Sequence, residues 1–258
     1  MSPQLQDFLS KALVKEHMPR PDQTRPLKDA FLTYLHTCGI EFTNYGAVHL
    51  NDSGTGKAYF ADGNFRGSWI EEYLAEGLTP HDYVLNRAKA LKGNRTEHFA
   101  LGEWLAKHVA DDTPITARVL RGAGDAGMQD GIGLIGRKPN QNAGQSEELG
   151  WSFAFGGEMG VGAHIEHQLP EITIAAAALI DRLTPEINAG IDCYKKPLSA
   201  RERDVLGYFA SGLQRDRVAD AIGTSVHTVD FHCRNLRSKL GAATMAEAVA
   251  KGYRYGQL

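Results

Sequence analysis

Hydrophobic positions in the last quarter of the chain recur at helical spacing, and capping residues divide them into four predicted helices. Ser199 and Glu202 form a capping box, in which the hydroxyl accepts from a first-turn amide and the carboxylate reaches back to the cap. Gly212, Gly223 and Gly241 follow the apolar stripes and suit the left-handed conformation that ends a helix. Because Gly223 leaves only a tight turn between the second and third helices, the pattern predicts a helix-turn-helix.

The longer upstream part mixes strand-like and helical patterns. β-branched and aromatic residues around a polar break at 51–54 predict a hairpin. The predicted elements are a hairpin over 41–62, helices over 68–76, 96–109 and 170–183, and strands over 132–135 and 151–155. We therefore expect an α+β protein, with an N-terminal α/β/α sandwich built on an antiparallel sheet and a C-terminal four-helix domain.

A composition change separates the two parts. The stretch from Thr184 to Pro197 contains two prolines, a glycine and two lysines, so we place a linker at 184–196. It would join a sensory domain over 1–183 to a helix-turn-helix domain over 197–258. Residues 197–258 contain nine Lys and Arg and six Asp and Glu, whereas residues 1–196 contain 19 and 25. A basic domain behind an acidic one indicates a polyanionic partner at the C-terminal end.

Composition narrows the class of protein. With 258 residues, 42% hydrophobic and 23% charged, the chain is typical of a globular protein with one or two domains. Its apolar runs are too short for a membrane span, and its first 15 residues do not resemble a secretory signal. Cys38, Cys193 and Cys233 are odd in number and far apart, which favours neither a disulfide framework nor a zinc site. We expect a cytoplasmic protein with reduced thiols and no membrane partner.

The C-terminal motifs carry a resemblance to a known family. They are Leu198–Leu206, Val218-Ala219, Ser225-x-x-Thr228-Val229-x-x-His232, Lys239-Leu240-Gly241 and Ala248. In this order and spacing they resemble the DNA-binding domain of LuxR-type transcription regulators. The resemblance implies that the third helix, opened by Ser225, enters the major groove of double-stranded DNA.

Short polar side chains at the start of that helix and basic ones further along suit base and phosphate contacts. The expected DNA-binding residues are Ser225, His227, Thr228, Val229, His232, Arg234, Arg237 and Lys239. Val229 is also expected in the core of the domain. Asp230 has two interpretations. It could accept a hydrogen bond from a cytosine amine, or it could be a solvated acid that the helix dipole favours.

The N-terminal part also resembles this family, whose sensory domain holds an acyl-homoserine lactone between a sheet and helices. Trp69-x-x-x-Tyr73 followed by Asp82 is similar to the family's pocket residues. The resemblance implies that Trp69 donates to the lactone carbonyl, that Asp82 accepts from the ligand amide, and that Tyr73 packs on the ligand. The competing interpretation is structural: aromatic residues at this helical spacing often belong to a core, and Asp82 after Thr79-Pro80 could be a cap.

The pocket departs from the family pattern at several positions. Phe65 replaces a tyrosine that commonly bonds the ligand, and Tyr83 replaces the usual proline. Phe99 is the nearest aromatic substitute for a missing tryptophan, and Ser152 could supply a hydroxyl to the ligand carbonyl. One lost hydrogen bond would change ligand preference by roughly 1–3 kcal/mol.

Other classes of function find less support in the residues. Gly131-x-Gly133-x-x-Gly136 has the letters of a dinucleotide fingerprint, but Arg137-Lys138-Pro139 does not open the helix that such a site needs. His164 and His167 are expected to be solvated and not to bind a metal. We identify no catalytic constellation and predict no enzyme, no metal site and no cofactor beyond a possible acyl-homoserine lactone. A phosphorylated receiver domain would need an early acidic pair, a phosphoacceptor Asp at a strand end and a later Lys, and we do not find that set of residues in the sequence.

The resemblance implies a quorum-sensing type of transcription regulator, whose DNA binding is controlled by an acyl-homoserine lactone or a similar small signal. Such regulators bind inverted-repeat operators as homodimers, with half-sites about one helical turn apart. The alternative is a ligand-independent LuxR-type regulator, in which aromatic side chains such as Phe65, Tyr83 and Phe99 fill a collapsed or altered pocket.

Overall fold

The computed structural model describes residues 1–13, 24–50, 58–64, 69–110, 113–139, 148–195, 197–254 and 257–258. The chain divides into two compact units, Met1–Glu186 and Ile187–Leu258. The division falls inside the linker predicted at 184–196. The domain bounds 1–183 and 197–258 stay a prediction.

The first unit combines helices with a sheet. Its elements are α1 (Pro3–Ala12), α2 (Arg25–Thr37), β1 (Phe42–Leu50), β2 (Ala58–Gly63), α3 (Trp69–Ala75), a 3₁₀ turn (Thr79–His81), α4 (Tyr83–Ala90), β3 (Thr96–Gly102), α5 (Glu103–Val109), α6 (Pro114–Asp125), β4 (Asp130–Pro139), β5 (Glu148–Gly157) and α7 (Val161–Lys195), which continues past the division at Glu186. All strand pairs are antiparallel, in the order β2-β1-β5-β4-β3. The predicted antiparallel sheet and mixed α+β fold are therefore confirmed.

The two faces of the sheet carry different side chains, because neighbours along a strand point to opposite sides. One face is aromatic: Phe153 on β5 stacks on Tyr45 of β1 at 5.3 Å and meets Phe31 of α2 at 5.7 Å. The other face carries smaller residues such as Ala154, which pairs with Gly133 on β4. Helix α4 packs against β1, β4 and β5 on that side. The small residues leave room there for a cavity.

Helix α7 is longer than the helix predicted over 170–183. Its 35 residues continue through Pro185 to Lys195. A proline removes one amide from the helix ladder, which favours a break, but Thr184 and Glu186 on either side of Pro185 are buried. Glu186 accepts from the Lys28 ammonium at 2.9 Å. These tertiary contacts keep the segment helical where the sequence indicated a linker. Despite its length, α7 is not apolar enough to cross a bilayer, and neither is any other helix among the described residues.

The helix predicted over 96–109 is wrong in its first half. Residues 96–102 form strand β3, and α5 starts only at Glu103. Gly102 separates the two with φ of 119°, a conformation that favours glycine. Strand β3 exists because all seven of its residues pair with β4, from Thr96 opposite Gly136 to Gly102 opposite Asp130. Local periodicity does not register that distant pairing.

The second unit contains the four helices that the capping residues predict. They are α8 (Ala200–Ala210), α9 (Arg215–Ile222), α10 (Val226–Leu240) and α11 (Met245–Arg254). The Ser199–Glu202 capping box is formed, and both Gly223 and Gly241 adopt the left-handed conformation. Val205, Leu206, Val218, Val229 and Leu236 are among the residues of one shared core. The predicted helix-turn-helix is confirmed.

Candidate ligand pocket and DNA-binding face

A cavity lies between the small-residue face of the sheet and helices α3, α4 and α6 of the first unit. Its volume is about 60 Å³, and it opens to solvent. It is lined by Asn44, Trp69, Tyr73, Asp82, Tyr83, Val84, Leu101, Gly102, Val119, Leu120, Ala123, Met128 and Ala154. The lining is mostly apolar, with a few polar groups from α3, β1 and the start of α4. Such a composition is typical of sites for small molecules.

Asp82 has both backbone and side-chain partners at the cavity. It is the N-cap of α4, and its Oδ1 accepts from the Leu85 amide at 2.8 Å. Its Oδ2 accepts from the Tyr73 hydroxyl at 3.2 Å. The structural reading of Asp82 as a cap is therefore correct, and the residue lines the cavity as well. A carboxylate has about four lone-pair sites, so these two bonds and the nearby Val84 amide leave capacity for a further donor.

Burial controls the ionisation of this pair. Desolvation raises the pKa of Asp82, although the amides of Leu85 and Val84 and the Tyr73 hydroxyl partly oppose it by stabilising the charge. Burial also raises the pKa of Tyr73, and the neighbouring Asp82 charge raises it further. The pKa of Lys89 is lowered by burial, against the attraction of Asp82. A donor that reaches Asp82 would therefore find an acceptor short of solvation.

Trp69 is held in the cavity wall by a glycine. Its ring lies 6.3 Å from that of Tyr73, nearly edge-on at 64°. A Cβ on Gly122 of α6 would come within 2.1 Å of a Trp69 ring carbon, so only glycine leaves space for the indole. On the same helix, Gly124 has no such neighbour within 4 Å. No local pattern indicates this role of Gly122, because the contact joins two helices that are far apart along the chain.

The remaining predicted pocket residues are placed differently from one another. Tyr83 lines the cavity, and Phe99 packs behind it with ring centroids 5.5 Å apart. Ser152 is buried on β5 two residues from Ala154, on the same face but outside the cavity lining. Phe65 lies outside the described residues. Asn44 on β1 lines the cavity and was not predicted, since a strand asparagine carries no local signature of a pocket.

In the second unit, one face of helix α10 is largely exposed. We call it the α10 stripe: the exposed Val226, His227, Phe231 and Arg234, with the half-buried Asp230 between them. Their spacing puts them in neighbouring positions along one side of the helix. Val226 and Phe231 are 43% and 51% exposed, large values for apolar side chains. Ser225 caps this helix by accepting from the Thr228 amide at 3.2 Å, so the stripe starts at the turn after α9.

Three of the expected DNA-binding residues occupy structural positions instead of the stripe. Val229 is fully buried, so its side chain belongs to the core and not to a DNA-contacting surface. Lys239 donates to the buried Glu202 carboxylate at 2.6 Å. Arg237 donates to the carbonyls of Cys233 and Ala243 at the end of α10. Ser225, His227 and Arg234 are exposed, whereas Thr228 and His232 are half-buried.

The glycine motif of residues 131–136 and the His164–His167 pair have structural explanations. Gly131, Gly133 and Gly136 all lie within strand β4, where their missing side chains admit neighbouring groups, and not in a phosphate-binding loop. His164 hydrogen bonds to Gln168 on the same helix at 2.9 Å. Across the part of the chain that the structure describes, no group of three or more His, Cys, Asp or Glu is arranged to hold a metal.

Comparison with known proteins finds a family model for each of the two units. Residues 196–251 match the family model described as bacterial regulatory proteins of the luxR family, and residues 23–183 match the autoinducer binding domain. The transcriptional activator protein SolR of Ralstonia solanacearum is 26% identical over 230 residues, which cover 84% of this chain and 86% of SolR. The regulator MalT of Yersinia pestis is 40% identical over 62 residues, 24% of this chain and only 7% of MalT.

Among solved structures, Escherichia coli SdiA is similar with a TM-score of 0.46 and 16% identity, covering 98% of this chain and 97% of SdiA. The autoinducer binding model alone spans more than half of the chain. The chain therefore belongs to the luxR family of bacterial regulatory proteins and carries an autoinducer binding domain ahead of its helix-turn-helix.

Proposed function

We propose that this regulator binds an acyl-homoserine lactone, or a similar acylated amide, in the cavity beside Asp82. The observation that carries the proposal is the Asp82 carboxylate, which is half-buried at the wall of a largely apolar cavity and keeps acceptor capacity. A ligand amide N–H would add a donor to those that Asp82 already has. A charged hydrogen bond in a partly desolvated site is stronger than one in water, so this donor contributes to ligand affinity.

The other lining residues suit the remaining parts of such a ligand. The Trp69 indole is a hydrogen-bond donor for a carbonyl of the ring, and Tyr73 stays protonated because burial raises its pKa. Val84, Leu101 and Val119 offer apolar contact to an acyl chain. Asn44 adds an amide that can pair with an oxygen substituent on that chain. Ser152 and Phe65, both predicted to contact the ligand, are secondary in this proposal.

The helix-turn-helix would carry the output. We propose that two copies of the chain bind an inverted repeat in double-stranded DNA in the bacterial cytoplasm, with half-sites about one helical turn apart. Ligand binding favours the conformations that hold it best, so it shifts the population of DNA-binding states. A basic C-terminal unit next to an acidic sensory unit supports the assignment of DNA to the second unit.

Thermal unfolding of the purified protein tests the ligand class. A series of acyl-homoserine lactones of increasing chain length is added at concentrations up to millimolar. A ligand at ~100 times its dissociation constant stabilises the folded state by about 2.7 kcal/mol, which raises the midpoint by about 5–10 °C. We expect a rise that depends on chain length and that Asp82→Asn removes.

A stable protein whose midpoint none of these lactones changes would contradict the proposal. That result, together with specific DNA binding by the unliganded protein, would favour the ligand-independent regulator. Tyr83 packed against Phe99 at the cavity wall is the first feature to examine in that case.

A further inference from the structure

Asp230 occupies an unexpected place on the α10 stripe. It is the sole acidic residue of α10, and its side chain is 41% exposed between His227 and Arg234 on the face that the helix-turn-helix presents. DNA phosphates repel a carboxylate whose charge is not neutralised, so an acidic residue on this face weakens DNA binding unless a nearby cation compensates its charge.

The compensating cation is present in the neighbouring helix. Nη1 of Arg215, the first residue of α9, lies 3.2 Å from Oδ1 of Asp230. This pair neutralises the carboxylate and fixes its position, yet both side chains are about half exposed. The Asp230 oxygens therefore keep lone pairs for a donor that approaches the stripe.

The chemistry of the major groove selects the partner of such an acceptor. Cytosine presents an N4 amine donor, whereas guanine presents two acceptors and thymine presents an acceptor and a methyl group. Adenine places its N7 acceptor beside its N6 donor, which would face the carboxylate unfavourably. Acidic side chains accordingly pair with the cytosine amine.

We propose that Asp230, positioned by Arg215, reads a cytosine in each operator half-site. The inference rests on the proposed DNA-binding function and adds a base-contacting residue to it. The competing explanation is that the Arg215–Asp230 pair only braces α9 against α10. Exposed ion pairs of this kind stabilise a protein little, so replacing Asp230 leaves the domain folded.

The test is selection from a library of duplex DNA with randomised half-sites, using the full-length protein with and without a lactone that stabilises it. Wild type, Asp230→Asn and Asp230→Ala are compared. Asp220→Asn is the matched control, since it makes the same charge change on α9 at a side chain that is 76% exposed and pairs only loosely with Arg217 at 3.9 Å. Circular dichroism checks the folding of each variant.

We expect wild type and Asp220→Asn to prefer C·G at one half-site position by about tenfold over other pairs. Asp230→Asn should change that preference to A·T, because an Asn amide pairs with N6 and N7 of adenine. Asp230→Ala should lose the preference at that position and keep the others. Alanine also tests the role if the Asn variant fails to fold.

Two failures are distinguishable. If wild type selects a clear sequence and both Asp230 variants select the same one at every position, Asp230 is only a brace and the inference is wrong. If wild type and Asp220→Asn select no sequence at all, the proposed DNA-binding function fails, and this inference fails with it.

Discussion

Asp82 combines a structural role with a functional one in a single carboxylate. One oxygen caps α4 and the other pairs with Tyr73, so the residue would be kept even in a protein without a ligand. This is why the sequence alone left the cap and the pocket open as alternatives. The geometry joins them, because the cap of α4 points to the cavity that Trp69 and Tyr73 line. Asn44 and Gly122 escaped prediction because their roles depend on contacts between distant elements.

The raised pKa of Asp82 gives a pH-dependent prediction. A raised pKa means that the folded state binds this proton more tightly than the unfolded chain, so wild type loses stability as pH rises above the ordinary value of 3.8 and through the folded value. Asp82→Asn keeps a good N-cap and does not ionise. Urea unfolding of the unliganded proteins between pH 4 and 8 should show the variant gaining on wild type as pH rises. A difference that does not vary with pH would contradict this account.

The glycine behind Trp69 gives a second prediction at this scale. Gly122→Ala places a methyl group into the indole, so the ring must move and ligand affinity should fall by about tenfold or more. Gly124→Ala is the control on the same helix, where the added methyl meets open space. It should leave affinity unchanged and raise stability by up to about 1 kcal/mol, because alanine favours helix. Lactone titrations by calorimetry and urea unfolding measure both effects, and equal affinities of the two variants would rule out the role of Gly122.

At the scale of elements, the predictions that rest on local sequence signals succeeded, and those that depend on contacts between distant residues failed. Helices α8 to α11 were predictable because their caps and glycine stops lie within their own sequences. Strand β3 was not, since its identity depends on pairing with β4, and α7 was predicted too short because burial of Glu186 overrides the local effect of Pro185. The cations of α10 differ in the same way: Arg234 is exposed, whereas Lys239 contacts a residue of another helix.

Two cations near α10 should behave differently when replaced. Lys239 donates to Glu202, whose pKa burial alone would raise, but bonds from Lys239 and Ser199 lower it overall. Because Lys239 is about one-third exposed, Lys239→Gln should cost about 1–2 kcal/mol of stability. Arg234→Gln should leave stability unchanged and lower the slope of log affinity for DNA against log salt by about 1. Chemical unfolding measures the stability of both variants, and DNA titrations at several salt concentrations measure the slopes. A stability loss in Arg234→Gln with a changed salt slope in Lys239→Gln would contradict these roles.

For the whole molecule, the two units each have a core of their own. The second unit has its own cluster of buried apolar residues, contributed by Leu198 and by α8 to α11, and its capping box completes the first of these helices. Residues 197–258 should therefore be expressed as a folded fragment that unfolds cooperatively and binds DNA regardless of lactone. Circular dichroism with urea and DNA titration test this, with the full-length protein as the control for ligand response. A fragment without helical signal would contradict the predicted boundary at 197.

The glycine that holds Trp69 and the Gly133 that lies under Phe99 limit how this regulator can diverge. A Cβ at either position would overlap an aromatic ring, so a side chain at Gly122 would displace Trp69 and one at Gly133 would displace Phe99. The backbone positions of Gly122 and Gly133 therefore tolerate little change. A change in ligand preference can arise more readily from substitutions at the lining residues Asn44, Tyr83 or Val119. Relatives that acquire a different signal should thus keep these glycines while their other cavity-lining residues drift.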